Sequence, residues 1–367
     1  MLSATIWFII GLVALIGGAE LLVRSSSSLA VRFGISKLIV GLTVVSLGTS
    51  APELGVSIQA GFAGKTDILL GNIVGSNISN TLLILGIAAL ILPLKVNVKL
   101  IRVDVPVMIG VTILLYIFAL SGVIYFWESL ILVILLGAYL TFLIRENKHT
   151  DVEAEIEKMP TSTPVLIITG IIGLLMLVFG ARWLVDSAVI FAEMAGISEL
   201  IIGLTVVSIG TSLPEIVTAV VAALKVERDI AVGNVIGSNI LNILVVLGVT
   251  GLIIPTSIPV QPSLIRFDLI ILMAASFACL PIFFTRHRID RFEGFVFLVM
   301  YIAYILYLFL YSTDHDLLEA FSNTMIFFVL PLVAVTILSI FWREWKQRRR
   351  FYLAAKHRNE EMEDENE

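Results

Sequence analysis

Glu53 and Glu215 occupy matching places in two near-copies of one segment, G-L-T-V-V-S-L-G-T-S-A-P-E at 41–53 and G-L-T-V-V-S-I-G-T-S-L-P-E at 203–215. Each carboxylate follows a proline inside a long apolar stretch. A carboxylate in hydrocarbon is costly, so one that persists there marks a functional site. Thr49 stands four residues and Ser46 seven residues before Glu53, on one helix face, with Ser50 beside them; Ser208, Thr211, Ser212 and Glu215 repeat the arrangement. Pro52 has no N–H for the Gly48 carbonyl, and Pro214 none for Gly210, so each segment is expected to kink and free a carbonyl for another partner.

A second duplicated segment supplies amides. G-N-I-V-G-S-N-I at 71–78 matches G-N-V-I-G-S-N-I at 233–240. Asn72, Ser76 and Asn80 recur every fourth residue as a polar stripe, and Asn234, Ser238 and Asn242 repeat it. Gly71, Gly75, Gly233 and Gly237 are expected to let helices approach closely. Ser and Thr in membrane helices often bond only their own backbone, so it is the duplication of the whole polar context that singles these residues out. Four helices, two per half, would then surround one cavity lined by oxygen.

That inventory selects the ligand. Carboxylate, hydroxyl, amide oxygen and backbone carbonyl suit hard cations such as Ca²⁺, Mg²⁺ or Na⁺. Ca²⁺ takes 6–8 oxygens in flexible geometry, whereas Mg²⁺ demands a strict octahedron and keeps its waters, as about six-coordinate ions of its size do. Two glutamates balance one divalent charge or two monovalent ones, which invites competition between them. No resident cofactor is implied. The single cysteine, Cys279, excludes an internal disulfide, and the four histidines, His149, His287, His315 and His357, fall in polar segments without ligand spacing.

The elements that must carry these residues are membrane helices. The chain has 367 residues, 58% hydrophobic and 14% charged, with net charge −5 and mean hydropathy +1.02. Apolar runs of about 20 residues, long enough to cross a bilayer, recur to the end. The expected spans are about 3–30, 36–63, 67–92, 103–121, 125–144, 164–192, 198–223, 229–254, 266–284, 294–312 and 324–342. The chain therefore reads as an all-α polytopic membrane protein. Residues 1–144 form a first set of five helices, 145–163 a cytoplasmic linker and 164–312 a second set of five; 313–367 hold one extra C-terminal transmembrane helix and a charged cytoplasmic tail. Residues 35–53 match 197–215 at 15 of 19 positions, and G-A at 18–19 matches G-A at 180–181. Five spans reverse direction across the membrane, so the two halves are inverted repeats around a ten-helix core, the architecture of secondary transporters.

With the N-terminus outside and the C-terminus cytoplasmic, 21 of the 24 Lys and Arg residues lie inside, leaving Lys65, Arg182 and Arg266 outside. The positive-inside rule selects that orientation in the plasma (inner) membrane. Glu20 with Arg24, and Arg182 with Asp186 and Glu193, read as local ion pairs at helical spacing. Asp104 and Asp268, each two residues after an arginine, read as interfacial. The lipid bilayer is the partner that composition implies; neither nucleic acid nor an obligate protein partner is indicated.

At G-T-S-A-P-E with G-N-I-V-G-S-N-I-S-N, and G-T-S-L-P-E with G-N-V-I-G-S-N-I-L-N, the chain resembles the two alpha-repeats of the calcium/cation antiporter superfamily. It is most similar to the sodium/calcium exchanger branch of small prokaryotic type, over about residues 3–312. The resemblance implies ten core helices and Na⁺-driven Ca²⁺ transport by alternating access, with spans 1 and 6 sliding across the rest. It implies that Glu53 and Glu215 are shared by Ca²⁺ and Na⁺, that the Thr49 and Thr211 carbonyls face Ca²⁺, and that Ser46, Ser50, Ser76, Ser208, Ser212 and Ser238 complete the Na⁺ sites. Asn80 and Asn242 would line the central position. Potassium-dependent members carry Asp where this chain has Asn242, which argues against potassium co-transport.

The residues leave rivals. A H⁺/Ca²⁺ antiporter, or one for another divalent cation, would protonate the same glutamates; the hydroxyls favour Na⁺, because a proton needs no shell of oxygens. A cation channel would also use carboxylates, but inverted halves with a kinked site argue against it. An enzyme is not expected, since no nucleophile–base pair is present.

Overall fold

The computed structural model describes residues 2–147, 162–194, 208–313, 315–339, 342 and 346. Helix α1 runs Leu2–Phe33 and stops at Gly34, whose φ of +63° is the left-handed cap that glycine adopts freely. Then follow α2 (Lys37–Thr49), α3 (Ala51–Phe62), α4 (Thr66–Ile91), α5 (Leu100–Ala119) and α6 (Phe126–Asn147). The second half holds α7 (Thr163–Met194), α8 (Ser208–Thr211), α9 (Leu213–Leu224), α10 (Arg228–Ile253), α11 (Leu264–Phe284) and α12 (Arg291–Ser312). A final helix, α13, spans Leu317–Ser339. These are the expected spans to within a few residues. Residues 198–207 of the seventh, most of the 145–163 linker and most of the charged tail lie outside the described residues. The last span begins seven residues earlier than its apolar run, at Leu317 rather than 324. There the His315 ring accepts the Leu317 N–H at 3.1 Å and starts the helix while the sequence is still polar.

Helices α1 and α7 pack back to back along a glycine seam. A Cβ on Gly18 would lie 2.6 Å from the Gly173 carbonyl oxygen, and one on Gly11 2.8 Å from that of Gly180. Gly11 and Gly173, like Gly18 and Gly180, are 162 residues apart, so each glycine meets the repeat-mate of the other. The two helices are thus antiparallel about a pseudo-twofold axis. Two short ladders repeat this symmetry: β1 (Leu94–Lys95) pairs antiparallel with β4 (Arg288–Ile289), and β2 (Val123–Ile124) with β3 (Ile258–Pro259). Each ladder ties one repeat to the other. Large apolar side chains on the outer faces, such as Val13, Ile134 and Phe327, are exposed, as a helix facing acyl chains requires. Cys279 is fully buried among apolar residues.

Two expectations about charge change. Asp104 is wholly buried, not interfacial, and accepts a 3.0 Å hydrogen bond from Tyr139 Oη. Its repeat-mate Asp268 is part-buried and accepts from Tyr304 Oη at 2.9 Å. Both end a π-helical turn, Leu100–Asp104 or Leu264–Asp268. The wider turn shifts the helix phase and brings the carboxylate round to a tyrosine. Glu20 takes Lys225 as its close partner, at 2.7 Å, rather than Arg24. Arg182 and Asp186 do pair, at 3.8 Å, and the side chain of Glu193 lies outside the description.

Val226 sits at φ +64° in the turn between α9 and α10, at the place that Gly64 (φ +69°) holds in the first repeat. A β-branched residue is strained there. Val226→Gly is expected to raise stability by about 1 kcal/mol, read as a higher thermal midpoint in detergent; an unchanged or lower midpoint would show that the turn holds no such strain.

Candidate ion-binding site

Each duplicated carboxylate heads a new helix. Helix α2 ends at Thr49, Ser50 takes φ −82° and ψ 6°, and α3 departs at 44°. Ser212 matches it with φ −87° and ψ 3° between α8 and α9. The break therefore falls on the serine, two residues before the proline. Pro52 and Pro214 stand in the first turn of the second helix, where a missing N–H costs nothing, because the first N–H groups of a helix have no internal acceptor. Glu53 and Glu215 follow directly, at the positive end of the helix dipole. The carbonyl ends of α2 and α8 face the same break.

The breaks of the two halves meet. Ser50 Oγ donates to Glu215 Oε1 at 3.4 Å, a bond from one repeat to the carboxylate of the other. Glu53 and Glu215 are each 1% exposed and close enough to act on each other's charge. Thr49, the hydroxyl expected beside Glu53, lies within hydrogen-bond distance of Asn234 Oδ1 (3.2 Å) and of the Ser46 carbonyl (3.3 Å), and also bonds Glu215 of the other repeat. Ser46 Oγ donates to the Thr43 carbonyl at 3.3 Å. Thr211 is half-buried in α8, Ser212 is buried beside it, and the side chain of Ser208 lies outside the description.

The amide segments close the site from α4 and α10. Ser76, Asn80, Ser238 and Asn242 are all buried. Asn72 and Asn234 of the expected stripe are committed to scaffolding: Asn72 Nδ2 donates at 3.0 Å both to the Glu53 carbonyl and to Ser57 Oγ, and Asn234 takes Thr49. Of the four glycines, Gly233 and Gly237 make the expected close approach, to Leu38 and Leu42 of α2; no described atom comes within 4 Å of a Cβ at Gly71 or Gly75. Asn77 and Asn239, which the polar spacing did not single out, form the centre of an inter-repeat amide network. They stand one residue past the stripe, in the α-helical segments Thr66–Ile78 and Arg228–Leu241, and both are buried.

What remains is a set of buried oxygens with unspent lone pairs. Among the described residues nothing donates to Glu53 Oε2, Glu215 Oε2, Ser212 Oγ, Ser238 Oγ, Asn80 Oδ1 or Asn242 Oδ1. Buried polar atoms without partners are costly and rare, and desolvated cations are what this donor set would satisfy. Among the described residues no three of His, Cys, Asp and Glu converge, so the only carboxylates in this cluster of described residues are the two glutamates, and the remaining oxygens are neutral.

Inverted helical repeats, broken helices and a buried oxygen-lined site between them define a multi-pass membrane ion transporter of the secondary type. Residues 3–145 and 165–310 match the family model "Sodium/calcium exchanger protein", and the chain belongs to that family, which transports Na⁺ and Ca²⁺. The chain is 34% identical over 341 residues to "Sodium/calcium exchanger MaX1" of Methanosarcina acetivorans, covering 82% of this chain and 97% of that one. It is 38% identical over 289 residues to "Inner membrane protein YrbG" of Escherichia coli, covering 76% and 89%. Its fold matches solved structures of the sodium-calcium exchanger NCX_Mj with a TM-score of 0.73 and 30% identity, over 83% of this chain and 98% of that one. Helix α13 and the tail lie beyond the residues that match the family.

Proposed function

We propose that this protein is an antiporter that moves Ca²⁺ against Na⁺ across the plasma membrane by alternating access, with the two ions competing for one central site. The observation that carries the reading is the meeting of Glu53 and Glu215, from opposite repeats, in a buried cluster of unpartnered oxygens. Together they neutralise one Ca²⁺, with the Thr49 and Thr211 carbonyls as further ligands. Ser46, Ser50, Ser76, Ser208, Ser212 and Ser238 complete the shells of Na⁺ ions on the same carboxylates, and Asn80 and Asn242 line the middle. An empty site leaves two buried carboxylates without a counter-ion and does not cross the membrane cheaply. One cargo must therefore replace the other, which couples their fluxes. The glycine seam makes α1 and α7 one body that shifts across the rest, exposing the site to each side in turn. The N-terminus faces outside, and residues 1–144 and 164–312 act as the two halves.

The supply of neutral oxygens supports Na⁺ over H⁺ as the driving ion, since a proton on Glu53 or Glu215 would leave them unused. In proteoliposomes loaded with Na⁺, external ⁴⁵Ca²⁺ is expected to accumulate in proportion to the outward Na⁺ gradient and to ignore an imposed pH gradient. Uptake that follows the pH gradient and ignores Na⁺ would make the protein a H⁺/Ca²⁺ antiporter instead.

A further inference from the structure

We infer that Asn77 is a positioning residue that fixes which end of the Asn242 amide faces the cation site. This rests on the exchanger reading above and deepens it. The bonding begins at a backbone carbonyl. Asn239 O lies 3.1 Å from Asn77 Nδ2, and since a carbonyl can only accept, Asn77 must turn its amino end there. Its oxygen end is then turned toward Asn242, where Oδ1 receives Asn242 Nδ2 at 2.9 Å. Asn242 has thereby spent its amino end, and its own Oδ1 is left buried with no donor among the described residues.

For a cation this polarity decides everything. An amide presents either an oxygen that binds the ion or an NH₂ group that repels it, and the two orientations fill the same volume. Asn242 opens the π turn Asn242–Leu247, which packs against α3, the helix that Glu53 heads. Both asparagines are fully buried. One backbone carbonyl, through one side chain, therefore sets the sign of the dipole that Asn242 offers.

The pseudo-twofold mates are arranged otherwise. Asn239, the counterpart of Asn77, donates to Thr81 Oγ1 at 2.8 Å and to Met108 Sδ at 3.4 Å. Asn80, the counterpart of Asn242, has neither amide atom partnered among the described residues. The site thus has one amide of fixed polarity and one that no described residue orients by a hydrogen bond, although the sequence repeats both.

A double-mutant cycle tests this with the full-length protein in proteoliposomes, reading the apparent KM for ⁴⁵Ca²⁺ under a fixed Na⁺ gradient. Asn77→Ala is expected to raise KM about 10-fold, the loss of one well-oriented ligand to a charge. In the Asn242→Asp background the same change is expected to alter KM by less than about 2-fold, because a carboxylate offers oxygen whichever way it turns. Asn77→Ser, whose hydroxyl can bond its own helix backbone, carries the same comparison should the alanine variant misfold. Equal losses in both backgrounds would make Asn77 merely structural and overturn the inference while leaving the exchanger reading intact. Absence of Na⁺-driven uptake in the unmodified protein would sink that reading, and this inference with it.

Discussion

Glu53→Gln and Glu215→Gln are each expected to abolish Na⁺-dependent ⁴⁵Ca²⁺ uptake, by at least about 100-fold, while the protein remains folded. Glutamine keeps the volume and one oxygen but removes a full charge. In a site that is 1% exposed, no solvent replaces that charge, and a divalent ion is left with one negative ligand instead of two. The fold should not suffer. Each glutamate carries an oxygen with no partner among the described residues, so neutralising it breaks no described bond to that oxygen. The thermal midpoint without ions should therefore be unchanged or higher, and the Ca²⁺-induced rise expected of the unmodified protein should vanish. Retained uptake in either variant would remove that glutamate from the mechanism. A collapse of the ion-free midpoint would mean that the carboxylate is structural.

Gly237→Ala should come next in effect. Its Cβ would lie 2.5 Å from the Leu42 carbonyl oxygen, 2.7 Å from Leu42 Cα and 2.7 Å from Ser46 Oγ. Two of these three atoms are backbone and cannot turn aside, so α10 and α2 must separate. Overpacking of this kind costs about 1–3 kcal/mol. The separation also carries Ser46 away from α10 and opens the site beside the break at Ser50. We expect a thermal midpoint lowered by several degrees and exchange reduced about 10-fold or more. Gly137→Ala on the exposed face of α6, where no described atom lies within 4 Å, is the control. It should be neutral or mildly stabilising, because alanine is the better helix former. Equal effects of the two substitutions would refute the contact argument.

Part of this protein could be read from the chain directly. The spans follow from apolar runs, and the inverted repeat follows from 15 of 19 identities across an odd number of spans. The carboxylates and hydroxyls of the proposed site stand out by duplication. Proline signalled the broken helices, although the break itself falls on Ser50 and Ser212. These features are local, and local polarity and backbone chemistry are written residue by residue.

Pairings across the fold were not legible, because helical spacing says nothing of a partner on another helix, whether 35 or 205 positions away. Glu20 looked like the mate of Arg24 until Lys225 stood closer. Asp104 looked interfacial because Arg102 precedes it, but a π turn rotates it inward to Tyr139. Such turns shift the phase on which a pattern of every third or fourth residue depends.

The sequence alone therefore determined the class of ligand, through which oxygens are present and that they come in two copies. The tertiary structure alone decided how those oxygens point. The same asparagines recur in each half, yet Asn242 is held by Asn77 while no described residue holds Asn80. An amide has the same shape either way round, and only the neighbour that its nitrogen meets selects the end that is turned toward the proposed site.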